Sequence, residues 1–257
     1  MFGFAELKEF VRKARSVGEV AELHPLMVEV TQSLGFDYFA LAHHIDVRSH
    51  GPYAGQLLKF GSIALTNYPE AWQRAYVADG LVNLDPVLLA AQRTNVGFMW
   101  EDMDRLITLT QQQRQILEQA RRLGIGDGYT VPANVPGESL GSCNFAVTPE
   151  RKIDRQKVPM AQLVGSFAFN AARRLAARSL EGRSIDPVKL TDRQRQCIAL
   201  VARGKTDWEI AKLLGISEQT VKQHIAEARS RYGVSKRVQL VVWALFDGVL
   251  PLSQLVG

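Results

Sequence analysis

Between residues 190 and 248 nearly every helix start and stop is written into the sequence. Thr191 is followed three residues on by Gln194, and Thr206 by Glu209. At this spacing the threonine hydroxyl accepts from the third helical amide, and the side chain three residues on reaches back to the threonine's own N–H. Gly204, Gly215 and Gly233 supply stops, because a helix ends cheaply on a residue at positive φ. The pattern predicts four helices: from the Thr191 cap to about Arg203, over 207–214, from the Ser217 cap to about Tyr232, and from about Lys236 to Phe246.

Ile210, Leu213, Leu214, Ile216, Val221 and Ile225 fall where the second and third of these helices must cross, with Ala211 small at the crossing. Val221, Ile225 and Ala228 share one face of the third helix at helical spacing. Gln219, Thr220, Lys222, Gln223, Glu227 and Arg229 are left on the others. Amides and cations on the exposed N-terminal half of a helix are the groups that read base edges in a major groove. Lys205, Arg231, Lys236 and Arg237 flank that helix as candidate phosphate contacts. The candidate DNA-binding set is therefore Lys205, Ser217, Gln219, Thr220, Lys222, Gln223, Arg229, Arg231 and Lys236. A helical packing module that binds protein would share much of this pattern.

Charge separates the two readings. The chain has 257 residues and a net charge of +5. Residues 188–257 hold 11 Lys and Arg against 6 Asp and Glu, while residues 1–187 hold 20 of each. A neutral body with a basic tail domain points to a polyanion partner for the tail alone, and double-stranded DNA is the expected one. The two cysteines, Cys143 and Cys197, lie far apart and without companions at metal-ligand spacing, which excludes a disulfide framework and fits a reducing compartment. The amphipathic start, MFGFAELKEFVRKARS, lacks the apolar core of a signal peptide, and no run approaches a membrane span. The expectation is a soluble cytoplasmic protein.

Residues 1–180 read as a separate α+β domain, with a linker at 181–188 marked by Gly182, Ser184 and Pro187, and the helical domain at 189–257. Helical periodicity covers about 3–15, 19–34, 69–79, 85–93, 111–123 and 155–180. Strand-like runs fall at 36–45, 56–65, 129–133 and 141–147. Their mixed order favours α+β over a regular βαβ array.

Within this domain Tyr68, Trp72 and Tyr76 lie four apart and share a helix face. Asp85 follows, held out of helical geometry by Pro86. Three aromatic groups with polar tips and one carboxylate can make an apolar pocket with a few polar handles, as small-molecule sites require. The same spacing suits an aromatic face packed in a core, with Asp85 capping the helix that opens at Pro86. His43 and His44 alternate faces on a strand, cannot chelate together, and are assigned to core or surface. The run GIGDG (124–128) is not a nucleotide loop, and no nucleophile stands at a recognised spacing from a base, so no enzyme activity and no cofactor are expected.

Two resemblances add to this. Residues 190–248 resemble the LuxR/FixJ-type DNA-binding domain, carried by LTDRQRQC, GKTDWEIA, LGIS and TVKQHI. Gln194 stands where that family usually has Glu, a change expected to cost a little stability, and Ile198 where Leu is usual. Residues 5–175 resemble the autoinducer-binding domain of LuxR-type quorum-sensing regulators, whose W-x3-Y-x8-D-P pattern appears as Trp72, Tyr76, Asp85 and Pro86, with Trp100 and Gly128 beyond it. The resemblance implies an antiparallel sheet flanked by helices (an α-β-α sandwich) and an N-acyl-homoserine lactone ligand. On that likeness Trp72 donates to the lactone carbonyl, Asp85 accepts from the ligand amide, Tyr68 donates to the amide carbonyl, and Tyr76 and Trp100 wall the pocket. Asn144 stands where the family usually has Ser or Thr, and Val87 where some members carry a hydroxyl. The resemblance further implies a homodimer on two-fold symmetric DNA, with RNA polymerase a further candidate partner. An alternative of the same architecture is ligand-independent or senses a plant or host compound.

Overall fold

The computed structural model describes residues 2–44, 63–134, 140–178 and 188–251. The chain divides into two compact units, the first made mainly of residues before 184 and the second mainly of those after it.

The first unit opens with two amphipathic helices, α1 (Phe4–Ser16) and α2 (Val20–Ser33), then β1 (Tyr38–His43) and β2 (Ala64–Thr66). Next come α3 (Glu70–Ala78), α4 (Pro86–Ala91), the two-residue β3 (Phe98–Met99) and α5 (Gln111–Arg122). β4 (Gly128–Ala133), β5 (Gly141–Ala146) and the long α6 (Val158–Arg178) complete it. The strands form one antiparallel sheet in the order β2-β1-β5-β4-β3. The α+β expectation therefore holds.

Alternation along the strands gives the two faces of the sheet opposite characters. One face presents Phe39, Leu41, Cys143, Phe145, Tyr129 and Val131, packed in a single core with α1, α2 and α6. Burying each such large side chain contributes about 1.5–3 kcal/mol. The other face presents Ala40, Ala42, Ser142, Asn144, Ala146, Gly128 and Thr130, which pair across β1, β5 and β4. These are small or polar side chains, and they leave space between the sheet and the α3–α5 side.

Three elements differ from the sequence reading. The helix expected over 155–180 begins with a 3-10 turn at Arg155–Lys157, capped by Asp154. β3 is not visible in the sequence because two residues are too few to show a period of 2, and the 3-10 turn at Trp100–Arg105 is a further element that the sequence reading lacks. Of the strand expected at 56–65, only its end, in β2, lies within the described residues, and the expected linker at 181–188 lies outside them apart from residue 188.

The second unit is all helix: α7 (Asp192–Ala202), α8 (Asp207–Leu214), α9 (Glu218–Tyr232) and α10 (Arg237–Phe246). Both predicted capping boxes form, with Thr191 accepting from the Gln194 amide at 3.2 Å and Thr206 from the Glu209 amide at 3.3 Å. Gly215 ends α8 at φ 65°, where a Cβ would be strained. Cys197, Ile198, Ile210, Val221, Ala228, Leu240 and Ala244 form its core. Leu213, expected at the α8–α9 crossing, is instead 60% exposed. Its neighbour Leu214 packs against the core in its place, so the last turn of α8 presents one of the two leucines inward and the other to solvent.

No helix among the described residues is long and apolar enough to cross a membrane, and no His/Cys/Asp/Glu group among them could hold a metal ion.

Candidate functional site

The space beside the small-residue face of the sheet is a cavity of about 360 Å³. Tyr68, Trp72, Tyr76, Asp85, Trp100 and Asn144, all six candidate ligand residues, line it. The helical spacing of the three aromatics on and before α3 brings them to one wall. Trp72 and Tyr76 meet edge to face with ring centroids 5.5 Å apart, and Tyr38 from the sheet meets Tyr68 at 6.1 Å. Trp72 packs in one cluster with Ala146 and Ile125, so this wall stands over the Ala146 end of β5.

Asp85 does both things the sequence allowed. As N-cap of α4 it accepts from the Val87 amide at 2.8 Å, and its second carboxylate oxygen accepts from the Tyr76 hydroxyl at 2.9 Å. Burial raises the pKa of its carboxyl above the usual carboxylate value, against the lowering effect of those two bonds. Burial likewise raises the Tyr68 and Tyr76 hydroxyls, so both stay protonated as donors. Tyr76 spends its proton on Asp85. Among the described residues no hydrogen bond within the protein involves the Tyr68 hydroxyl or the Trp72 indole N–H. The cavity wall thus offers two open donors beside one buried carboxylate.

Trp100 lies flat against the backbone of β4, and a Cβ on Gly128 would come within 2.4 Å of its indole ring. Its N–H donates to Thr130 Oγ1 at 2.9 Å, and Thr130 donates to Asn144 Oδ1 at 2.7 Å. Asn144 is therefore oriented by the sheet rather than free to rotate. Its Nδ2 donates to Ser142 Oγ at 3.2 Å, which leaves a second amide hydrogen for a ligand.

His43 and His44 belong to opposite faces of the sheet, though both border the cavity. His43 is buried against Phe169, with ring centroids 5.4 Å apart. His44 corrects the assignment to core or surface, since it lines the cavity with its Nε2 2.8 Å from Ser142 Oγ. His44 and Ser142 are cavity-lining residues that motif reading missed, and so is the role of Thr130, which holds Trp100 and Asn144 from behind. The parity of β1 and β5 was the available signal, because Ser142 and Asn144 share a face and Ala42, paired with Ser142, puts His44 beyond it on the same side.

In the second unit, α9 buries Val221, Ile225 and Ala228 and exposes Gln219, Lys222, Gln223, Glu227 and Arg231. Ser217 caps this helix, accepting from the Thr220 amide at 3.1 Å, with the Thr220 hydroxyl 2.8 Å away. Lys222 pairs with Glu218 at 2.8 Å and Lys205 with Glu209 at 3.5 Å, exposed pairs that polyanion contact can displace. Lys236 is exposed at the start of α10. Two arginines are more committed to the fold: Arg229 donates to the Ser235 carbonyl at 2.7 Å, and Arg231 to that of Lys189. Arg237, half-buried, bonds the Lys205 carbonyl at 2.7 Å and pairs with Asp207, tying α10 to the start of α8. Gln194 is buried and donates to Glu227 of α9 at 2.9 Å, so the amide gains a bond that the charge comparison alone did not foresee.

Comparison with known proteins agrees with both halves of this geometry. The autoinducer binding domain family matches residues 19–172, and the luxR family of bacterial regulatory proteins matches residues 188–244. The chain is 26% identical over 249 residues to the transcriptional activator protein AhyR of Aeromonas hydrophila, covering 95% of this chain and 92% of that one. It is 21% identical over 248 residues to the transcriptional activator protein LuxR of Aliivibrio fischeri, covering 95% and 94%. The crystal structure of Escherichia coli SdiA superposes with a TM-score of 0.65 at 24% identity, covering 96% of this chain and 98% of that one. The chain is therefore a member of the LuxR-type quorum-sensing transcription regulators, with an autoinducer-binding domain followed by a DNA-binding helix-turn-helix, a family of regulators rather than enzymes.

Proposed function

We propose that the autoinducer is an N-acyl-homoserine lactone, held by residues 1–180, and that its binding controls how residues 189–257, joined through 181–188, engage two-fold symmetric DNA as a homodimer. The observation that carries this reading is the pairing of two unsatisfied donors, Trp72 and Tyr68, with the buried Asp85 acceptor on one cavity wall. An acyl-homoserine lactone has the complementary groups, two carbonyl acceptors and one amide donor. The amide N–H to carboxylate contact is charge-assisted and so the strongest of the three. Tyr76 orients that carboxylate, Trp100 walls the site through Gly128, and Asn144 supplies its spare amide hydrogen.

DNA contact on this reading comes from Gln219, Thr220, Lys222 and Gln223 on α9, with Lys205, Ser217, Arg229, Arg231 and Lys236 at the phosphates. RNA polymerase is a partner this architecture would address once bound at a promoter.

The test is thermal denaturation of the purified protein with a panel of acyl-homoserine lactones. A ligand at a hundred times its dissociation constant stabilises by about 2.7 kcal/mol, a shift of several degrees. No shift with any lactone would favour the alternative, a regulator that is ligand-independent or reads a plant or host compound.

A further inference from the structure

Both oxygens of the Glu227 carboxylate on α9 are taken by side-chain amides, one buried and one exposed. Gln194 on α7 is only 1% exposed, with its Oε1 accepting from the Thr191 backbone N–H at 3.0 Å and its Nε2 donating to Glu227 Oε2 at 2.9 Å. Gln223 is exposed, and its Nε2 donates to the other oxygen, Glu227 Oε1, at 3.0 Å. A backbone N–H can only donate and a carboxylate can only accept, so the partners themselves settle which end of each amide is nitrogen. A buried side chain fixed at both ends therefore holds Glu227, and Glu227 holds one amide hydrogen of Gln223. Among the described residues no partner takes the Oε1 of Gln223 or its second amide hydrogen.

Gln223 stands on the part of α9 that meets base edges. Gln219, Gln223 and Ala226 form an exposed line at helical spacing, on the side turned away from the buried Val221, Ile225 and Ala228. In a major groove arginine and lysine pair with guanine, and glutamine pairs with adenine through N6 and N7. Lys222 is the single Lys or Arg between 218 and 227, and it pairs with Glu218 at 2.8 Å. An amide pinned through one hydrogen still offers its oxygen and its other hydrogen side by side, the complement of the adenine N6–H and N7. Guanine presents two acceptors there, O6 and N7, so the pinned oxygen would face another oxygen. A free glutamine escapes that clash by turning its amide over, whereas Gln223 would have to break its bond to Glu227.

We propose that Gln223 reads an adenine in each half-site, with Glu227 and Gln194 as positioning residues that hold its amide against guanine. This rests on the DNA contacts assigned to α9 above and specifies the base that one of them recognises.

Sequences would be selected from random duplex DNA by the full-length protein, with and without acyl-homoserine lactones. Affinities for the selected site and its single-base-pair variants would then be compared at one salt concentration by fluorescence anisotropy. Changing one A·T pair of a half-site to G·C should weaken binding about ten-fold. Gln223→Ala should abolish that difference while binding a scrambled duplex as the parent protein does. Glu227→Ala, measured well below its melting temperature, should reduce the difference several-fold at the same base pair. In the double variant it should add nothing to Gln223→Ala, the coupling that a positioning role requires. The absence of any such adenine position, or an adenine preference that survives Gln223→Ala, overturns the inference and leaves the DNA contacts standing. So does a Gln223→Ala variant that binds selected and scrambled duplexes equally more weakly, which would make the residue a backbone contact. A base preference untouched by Glu227→Ala overturns the positioning of the amide. If no sequence is enriched over scrambled DNA, the base-reading role of α9 fails, and the inference with it.

Discussion

Asp85 accepts from a backbone amide and a tyrosine hydroxyl, yet burial still holds its pKa above the ordinary value. A carboxyl whose folded-state pKa exceeds its unfolded one favours folding most below the unfolded pKa, and that contribution is lost as pH rises through the folded pKa. Once that carboxyl is ionised, the ligand-free domain carries an unfavourable buried charge. Asp85→Asn should raise the melting temperature of ligand-free protein at neutral pH, with the advantage shrinking as pH falls through the Asp85 titration. The same variant should lose ligand stabilisation. Melting curves across pH, with and without lactone, test both. Gln194 makes the mirror-image case. Its amide donates to the exposed Glu227 from a site only 1% exposed, so Gln194→Glu would bury a carboxylate beside the carboxylate of Glu227. We expect a loss of about 1–3 kcal/mol at neutral pH, measured by denaturant unfolding and recovered on acidification as the new carboxyl protonates. Unchanged stability at neutral pH would show that the residue typical of the family is accommodated here without rearrangement.

At the scale of elements, the cavity exists because β1 and β5 alternate large with small. Phe39, Leu41, Cys143 and Phe145 face the core, while Ala40, Ala42, Ser142 and Asn144 face the open side. Ala42→Phe should fill the space without touching Asp85 or Trp72. Its expected outcome is a folded protein whose melting temperature no longer responds to lactone, and a full ligand response in that variant would place the ligand elsewhere. The same alternation explains what could be read from sequence. The helix-turn-helix was legible almost to the residue, because caps and glycine stops are local chemistry: Thr191, Thr206, Ser217, Gly215 and Gly233 act on neighbours within four positions. The spacing of Tyr68, Trp72, Tyr76 and Asp85 fitted a packed aromatic face as well as a pocket, and the resemblance to the autoinducer-binding domain, rather than the spacing, pointed to the pocket. His44 and Thr130 were not legible, since their roles depend on β1, β4 and β5 pairing across long stretches of chain. Leu213 misled because it stands beside Leu214, and two adjacent leucines carry no mark of which one the core takes.

At the scale of the whole molecule, the two units have separate cores, and the excess positive charge belongs to the second. A fragment spanning 185–257 should therefore fold alone and bind DNA, more weakly than the intact protein, which on the proposed reading presents two copies to a two-fold site. Salt dependence distinguishes the roles of its cations. A side chain that neutralises one phosphate contributes about 0.9 to the slope of log affinity against log salt. Lys222→Ala and Lys236→Ala, which leave the core intact, should each flatten that slope by about one with little change in melting temperature. Arg237→Ala should behave in the opposite way, because its guanidinium joins α10 to Asp207 and to the Lys205 carbonyl. There the melting temperature falls, and the salt slope of the protein that remains folded is preserved. Should Arg237→Ala flatten the slope while leaving stability untouched, the charge at the α8–α10 junction would belong to the DNA surface. Comparing a full two-fold site with one half-site completes the experiment: on the proposed reading, in which the first unit holds two copies together, the intact protein should prefer the two-fold site by orders of magnitude and the fragment by far less. Equal preference in the two would mean that the helix-turn-helix pairs by itself, and that residues 1–180 govern something other than dimerisation.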